Sequence, residues 1–411
     1  MKQWRLVAVF VLAVIPATAQ ISPQFFGMSA SNYNPWPSAV GIELSSWRSL
    51  STNVKWSDIN TAPGVYQWSN LDTWLATAQQ YGTSVMYTFF YTPTWASSCP
   101  KCLCADKAYP PGGCAPPSDL NRDGSGTDHY LKAFIAALMQ HVGPGKIQYL
   151  EIWNEPNISN EYIGTVQQLV RMSADVRAIA KSYDPSIQIS SPAETGDGPT
   201  GSDDLQMTYL AKYLAAGGGP YVDVIGLHGY VAIPEDLATR IDATTADMAQ
   251  YGQSGKPIFI TEGGWENNPY PTTEQPGFTF RHHLAALSRP VTKQYLYSFD
   301  LQVEGNLYDS NTGQLTTGGT AYQLYYNWLV GTTMTQPCQA QSPGSAIWSC
   351  TFSRSGGYQA EAIWNTSLPW GQTTNVTIPA QYIQYRDLYG NVNTIQNNQV
   401  PIGFDPIWLE N

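Results

Sequence analysis

Between residues 25 and 331, short runs rich in Val, Ile, Tyr and Phe alternate with amphipathic segments. The strand-like runs fall at 25–29, 51–58, 84–91, 147–154, 187–192, 222–229, 257–262 and 294–300, and Gly, Pro or Asn bound them. Helical periodicity marks 71–81, 128–141, 165–183, 205–216, 234–251, 279–287 and 320–329. Eight strands separated by helices fit a (β/α)8 TIM barrel. An open doubly wound sheet needs a glycine-rich phosphate turn after its first strand, and here that place reads MSASNYNPWP.

The pattern changes after Gly331. Segments 346–353, 359–364, 375–378 and 384–388 are short and alternating, with turns between them. Residues 332–411 are therefore expected to form a small C-terminal β-sandwich that either binds sugar or covers the barrel, and 20–331 the barrel itself. The chain starts with a basic pair, Lys2 and Arg5, then a short apolar run and Ala17-Thr18-Ala19. That is the layout of a secretory leader over 1–19. The run is shorter than the roughly 20 residues a membrane span needs. A secreted, extracellular or periplasmic protein is expected to oxidise its cysteines, of which there are 6. Cys338 and Cys350 are close enough to staple a hairpin. Cys99, Cys102, Cys104 and Cys114 share one Pro/Gly-rich loop, where two bridges of open connectivity are expected. A zinc site is the rival reading, but C-x-x-C-x-C is not a zinc spacing.

With a formal net charge of −11, the chain lacks the basic surface that nucleic acid requires. No metal-ligand cluster, P-loop or dinucleotide fingerprint occurs, so no cofactor is expected. The 14 Trp and 26 Tyr serve the core first, and also suit stacking on the apolar faces of sugars.

TIM barrels carry chemistry at the C-terminal ends of their strands. Two acids stand there: Glu155 in YLEIWNEPN, closing the fourth run, and Glu262 in IFITEGGW, closing the seventh. Cleavage of a glycosidic bond uses such a pair, one carboxyl protonating the leaving oxygen and the other attacking or activating water. Glu151 lies deeper in the fourth strand and reads as structure. Glu266 reads as solvated, and Glu194 as lining the mouth of the fifth strand.

These motifs resemble the retaining glycoside hydrolases of clan A, most nearly family 39, with likeness to families 5 and 10. Trp153-Asn154-Glu155-Pro156 matches the acid/base motif and Ile260-Thr261-Glu262 the nucleophile strand. The segment Pro63-Gly64-Val65-Tyr66-Gln67-Trp68 with Leu71-Asp72 looks like the second βα unit, and His228-Gly229-Tyr230 ends the sixth strand. The resemblance implies that Glu155 is the acid/base and Glu262 the nucleophile. It implies that Asn154 binds the C2 hydroxyl, and that His228 and Tyr230 orient Glu262. A raised pKa is then expected at Glu155 and an ionised Glu262. Strict strand alternation puts Asn154 and Glu155 on opposite faces, so both can face a substrate only if the strand bends at its end. Trp95, Trp265 and Phe299 are candidate sugar platforms. Where the clan often has Trp on the eighth strand, this chain reads Tyr-Ser-Phe-Asp. Asn157, Asn365 and Asn375 begin glycosylation sequons. The expected partner is a carbohydrate. Besides hydrolysis, the same intermediate permits transglycosylation. A binding-only barrel or a structural surface protein would need no paired carboxylates.

Overall fold

The computed structural model describes residues 19–50, 52–104, 110–195, 208–265, 272–301 and 305–411. The expected leader, but for Ala19, and Glu266 lie outside these. Eight parallel strands form one sheet: β1 (Phe26–Ser29), β2 (Ser46–Arg48), β3 (Ser84–Phe89), β4 (Tyr149–Ile152), β5 (Gln188–Ser190), β6 (Ile225–His228), β7 (Ile258–Glu262) and β8 (Val291–Leu296). Their order is β5-β4-β3-β2-β1-β8-β7-β6, and a parallel bridge between Ser190 and Val224 joins β5 to β6, closing the TIM barrel.

Around it lie α1 (Trp56–Ile59), α2 (Ser69–Gln80), α3 (His129–Val142), α4 (Val166–Tyr183), α5 (Tyr209–Ala215), α6 (Asp236–Gln250), α7 (Gln275–Leu287) and α8 (Thr317–Leu329). Each longer helix turns an apolar stripe inward; α3 buries Leu131, Phe134, Ile135, Leu138 and Met139. Thr165 begins α4 with a capping box closed by Gln168.

Two expectations need correction. The second strand is Ser46–Arg48, not 51–58, and that run instead holds the turn of helix α1. Trp56 and Ile59 are buried there from a helix, and a short mixed run does not show its period. The eighth strand starts at Val291 and ends at Leu296. Only 208–216 of the expected 205–216 helix is described, and its helix begins at Tyr209.

Inside the barrel the lower layer is apolar: Met86, Val224, Phe259 and Tyr295 pack together. Tyr295 crosses the lumen because residue 27 is glycine, where a Cβ would sit 2.7 Å from the ring. Its hydroxyl meets the Ser46 hydroxyl at 2.7 Å. Above this layer the lumen is polar and fully buried, with Arg48 and Glu151 at its centre.

The C-terminal region adds a six-stranded antiparallel sheet and a two-stranded one, forming the sandwich. Strand alternation gives it two faces. Ile363, Ile407 and Leu409 meet Ile378, Val400 and Ile402 inside the sandwich. Trp364 and Trp408, from the same strands, join the barrel's core instead. Trp364 donates to Glu235 Oε1 (2.8 Å), which also pairs with Arg281 of α7. Cys338–Cys350 joins two paired antiparallel strands, as the spacing suggests, and the remaining four cysteines pair as Cys99–Cys102 and Cys104–Cys114. Among the described residues, no helix is long and apolar enough to cross a membrane.

Candidate active site

At the C-terminal end of β4 the backbone bends. Trp153 and Glu155 both have positive φ, 63° and 41°, while Asn154 still forms a parallel bridge to Ala193. This breaks the alternation of the strand, so that Asn154 and Glu155 turn toward one centre. Left-handed backbone at non-glycine residues is costly, and packing holds it here: Trp153 is fully buried and its indole N–H donates to the Glu161 carbonyl (2.8 Å).

Glu262 ends β7. Its side chain is 7% exposed, against 15% for Glu155. His228, ending β6, lies between the two. Its Nδ1 is 2.7 Å from Glu155 Oε1, and its Nε2 is 3.8 Å from Glu262 Oε2. Tyr230 donates to Glu262 Oε1 (2.8 Å). One ligand-type atom each from Glu155, His228 and Glu262 fall within 4.8 Å of one another. Such a triad has the makings of a cation site, but a guanidinium already supplies positive charge to Glu262.

That guanidinium is Arg48, which sequence reasoning missed. From β2 it reaches Glu151 (2.8 Å through Nε), Glu262, Asn154 Oδ1 (2.9 Å) and His228 Nε2 (3.4 Å). Burial by itself weakens the charge on Arg48. The carboxylates of Glu151 and Glu262 outweigh this and raise its pKa, so it remains a cation. A guanidinium only donates. His228 Nε2 must therefore accept from it, which places the imidazole proton on Nδ1, facing Glu155. The misplaced second strand hid Arg48, and an arginine between two serines and a tryptophan reads as surface. The available signal was the second βα unit at 63–72, which requires a strand upstream of it.

The expected rise in the Glu155 pKa does not hold in this geometry. Burial raises it, but the hydrogen bond from His228, with Thr195 and the Arg48 charge, brings it below the ordinary value. Glu151 pairs with Arg48 and accepts from Thr88 (2.7 Å), a structural role. Glu194 accepts the first backbone N–H groups of α5, from Tyr209 (2.6 Å) and Leu210 (3.3 Å), so it caps a helix.

The aromatic candidates separate. Trp95 is half-buried, donates to the Asn60 carbonyl (2.9 Å) and packs edge-on to Tyr130. Trp265 is 1% exposed, packed edge-on to Phe278 and over Gly305. Phe299 is fully buried, stacked on Tyr308. Neither ring has a face open to a sugar, which corrects the expectation for both. Tyr297, half-buried at the end of β8, instead brings its ring 6.4 Å from that of Tyr230. A cavity of about 480 Å³ opens between the loops after β7 and β8, walled by Thr272, Gln275, Asn306 and Thr316 among others, and neither Glu155 nor Glu262 lines it.

Residues 125–322 match the family model described as the glycosyl hydrolase catalytic core. No curated protein matches the sequence. Among solved structures, the fold is similar to a family 39 glycoside hydrolase from Bacteroides cellulosilyticus WH2, at 17% identity and TM-score 0.69, covering 94% of this chain and 81% of that one. It is also similar to a family 39 β-xylosidase from Caulobacter crescentus, at 14% identity and TM-score 0.64, covering 96% and 98%. A family 30 subfamily 8 xylanase from Clostridium acetobutylicum aligns at 16% identity and TM-score 0.59, covering 96% and 97%. The catalytic-core match spans strands β4 to β8, and the barrel-plus-sandwich fold is similar to that of these glycoside hydrolases.

Proposed function

We propose that the protein is an exported retaining β-glycosidase that cleaves β-linked oligo- or polysaccharide by double displacement. One observation carries this reading: a Glu155 oxygen and a Glu262 oxygen can be taken within 4.8 Å of each other, with His228 beside both. Retaining enzymes hold their carboxyl groups about 5–5.5 Å apart, whereas inverting enzymes need about 6.5–9.5 Å to admit a water. The three cystines and the N-terminal leader pattern support export. The barrel is assigned to 20–331 and the accessory sandwich to 332–411.

In the first step Glu262 attacks the anomeric carbon. The bond from that carbon to the leaving oxygen breaks, and Glu155 gives this oxygen a proton. In the second, Glu155 takes a proton from water, whose oxygen bonds to the anomeric carbon and releases Glu262. Asn154 holds the C2 hydroxyl, Tyr230 and Arg48 orient Glu262, and the half-buried Trp95 and Tyr297 are the aromatic residues placed to stack on sugar rings.

The test is a panel of aryl β-glycosides, β-glucans, xylans and mannans, with xylosides included because a similar structure is a β-xylosidase. Proton NMR of the first-formed product should show the β-anomer, and an α-anomer would refute retention. Glu155→Ala should lower kcat/KM by about 10²–10⁴-fold on substrates with poor leaving groups. With dinitrophenyl glycosides, which need no proton, the glycosylation step should be nearly unaffected. Equal losses across leaving groups would remove Glu155 as the acid.

The lowered Glu155 pKa also fixes a sign. Activity on poor leaving groups needs the protonated acid, so it should fall as pH rises through that pKa. Replacing His228 with alanine removes the group that holds the carboxyl down. The alkaline limb of the kcat/KM profile should then move to higher pH, and an unmoved or lowered limb would contradict the assignment.

A further inference from the structure

Glu161 is a third carboxyl at this centre, and no role above uses it. It lies in the turn after β4, six residues beyond Glu155, and the buried Trp153 draws it back through an indole hydrogen bond to its carbonyl (2.8 Å). Its backbone N–H donates to Ile158 (3.1 Å), and the Trp153 and Tyr162 rings pack edge to face beside it. Its carboxyl accepts from the hydroxyl of Tyr91 (2.6 Å), which stands past the end of β3 and is fully buried. The Asn154 amide also bears on this carboxyl and works to lower its pKa.

Both partners are neutral. The charged groups that bear on it most are Glu155 and Glu262, of its own sign, while Arg48 holds the neighbouring Asn154. Burial, then the Glu155 charge against the Tyr91 hydrogen bond, push its pKa up to about 7. A 9%-exposed acid beside like charges is an expensive way to fill space.

The amide of Asn154 gives the placement a purpose. Arg48 can only donate, so Asn154 Oδ1 must face it, as found at 2.9 Å. The Nδ2 group is thereby turned toward Glu161, whose carboxyl can only draw it closer when ionised. We propose that Glu161 is a positioning residue which, opposite Arg48, locks the Asn154 amide with an N–H directed at the sugar's C2 hydroxyl. This rests on the retaining-glycosidase reading.

The test compares 2,4-dinitrophenyl β-D-glucoside and β-D-xyloside with their 2-deoxy counterparts. Glu161→Ala should lower kcat/KM by about 30-fold on the full sugar and by less than about 3-fold on the 2-deoxy sugar. Glu161→Gln keeps one acceptor for Asn154 and should restore most of the difference. If the alanine variant does not fold, the glutamine variant and Tyr91→Phe, which frees the carboxyl from its other partner, are read on the same pairs. Both should keep a 2-hydroxyl preference within about 5-fold of wild type. Equal losses on full and 2-deoxy sugars would make Glu161 a packing residue and overturn the proposal. Asn154→Ala separates the two readings. If it abolishes the 2-hydroxyl preference and Glu161→Ala does not, only the proposal fails. If wild type turns over neither these glycosides nor any other member of the panel above, the retaining-glycosidase reading falls and takes the proposal with it.

Discussion

Replacing Glu262 with alanine is expected to lower kcat on a dinitrophenyl β-glycoside by about 10⁴–10⁶-fold, and azide is expected to restore turnover with an α-glycosyl azide as product. The carboxylate forms the bond that displaces the leaving group, and without it no nucleophile on that face is close enough. Truncation opens a space below the anomeric carbon, lined by Tyr230 and Arg48, that a small anion can enter. Azide then attacks once instead of the usual two displacements, so the configuration inverts. In Glu155→Ala the order differs: Glu262 still forms the glycosyl-enzyme, azide intercepts it from the opposite face, and the product is the β-glycosyl azide. The two anomers therefore assign the two carboxylates independently of any rate. A β-azide from Glu262→Ala, or undiminished activity, would remove Glu262 as nucleophile.

The second large effect concerns stability. Arg48→Met should destabilise the fold by about 3–5 kcal/mol, because it strands two carboxylates in a buried lumen. Glu151 is fully buried and keeps only Thr88 as a side-chain partner, and Glu262 keeps Tyr230. Against a typical total of about 5–15 kcal/mol, that is a large fraction. Thermal unfolding followed by circular dichroism should show a clear fall in Tm. The double variant Arg48→Met with Glu151→Leu should recover much of the loss by removing one stranded charge, without recovering activity. If the single variant melts with wild type, Arg48 is not the hub that its four contacts describe.

Arg48 also marks where reading the chain reaches its limit. Eight alternations, the bent NEPN strand end and the acid ending β7 are local patterns, so barrel, sandwich and candidate pair were all visible in one dimension. Strand β2 was not, because three residues, one of them a buried arginine, carry no hydrophobic signature. The platform residues failed for a related reason. Trp265 and Phe299 sit beside strand ends as platforms should, but which way a ring turns depends on the neighbours that pack on it, here Phe278 and Tyr308. The Glu155 pKa went the same way: its sign is set by a histidine 73 residues distant.

By itself the sequence determined the alternation of elements, the break near residue 331, the cystine-forming loop and the two acids that end β4 and β7. Each follows from periodicity or turn chemistry acting over a few neighbours. Only the tertiary structure decided that Arg48, His228, Tyr230, Asn154 and Glu161 surround those acids, which of the aromatic rings are packed away, and the direction in which Glu155 is shifted. Charge, burial and hydrogen-bond partners act through space, and closing the barrel brings together strand ends that the chain keeps scores of residues apart.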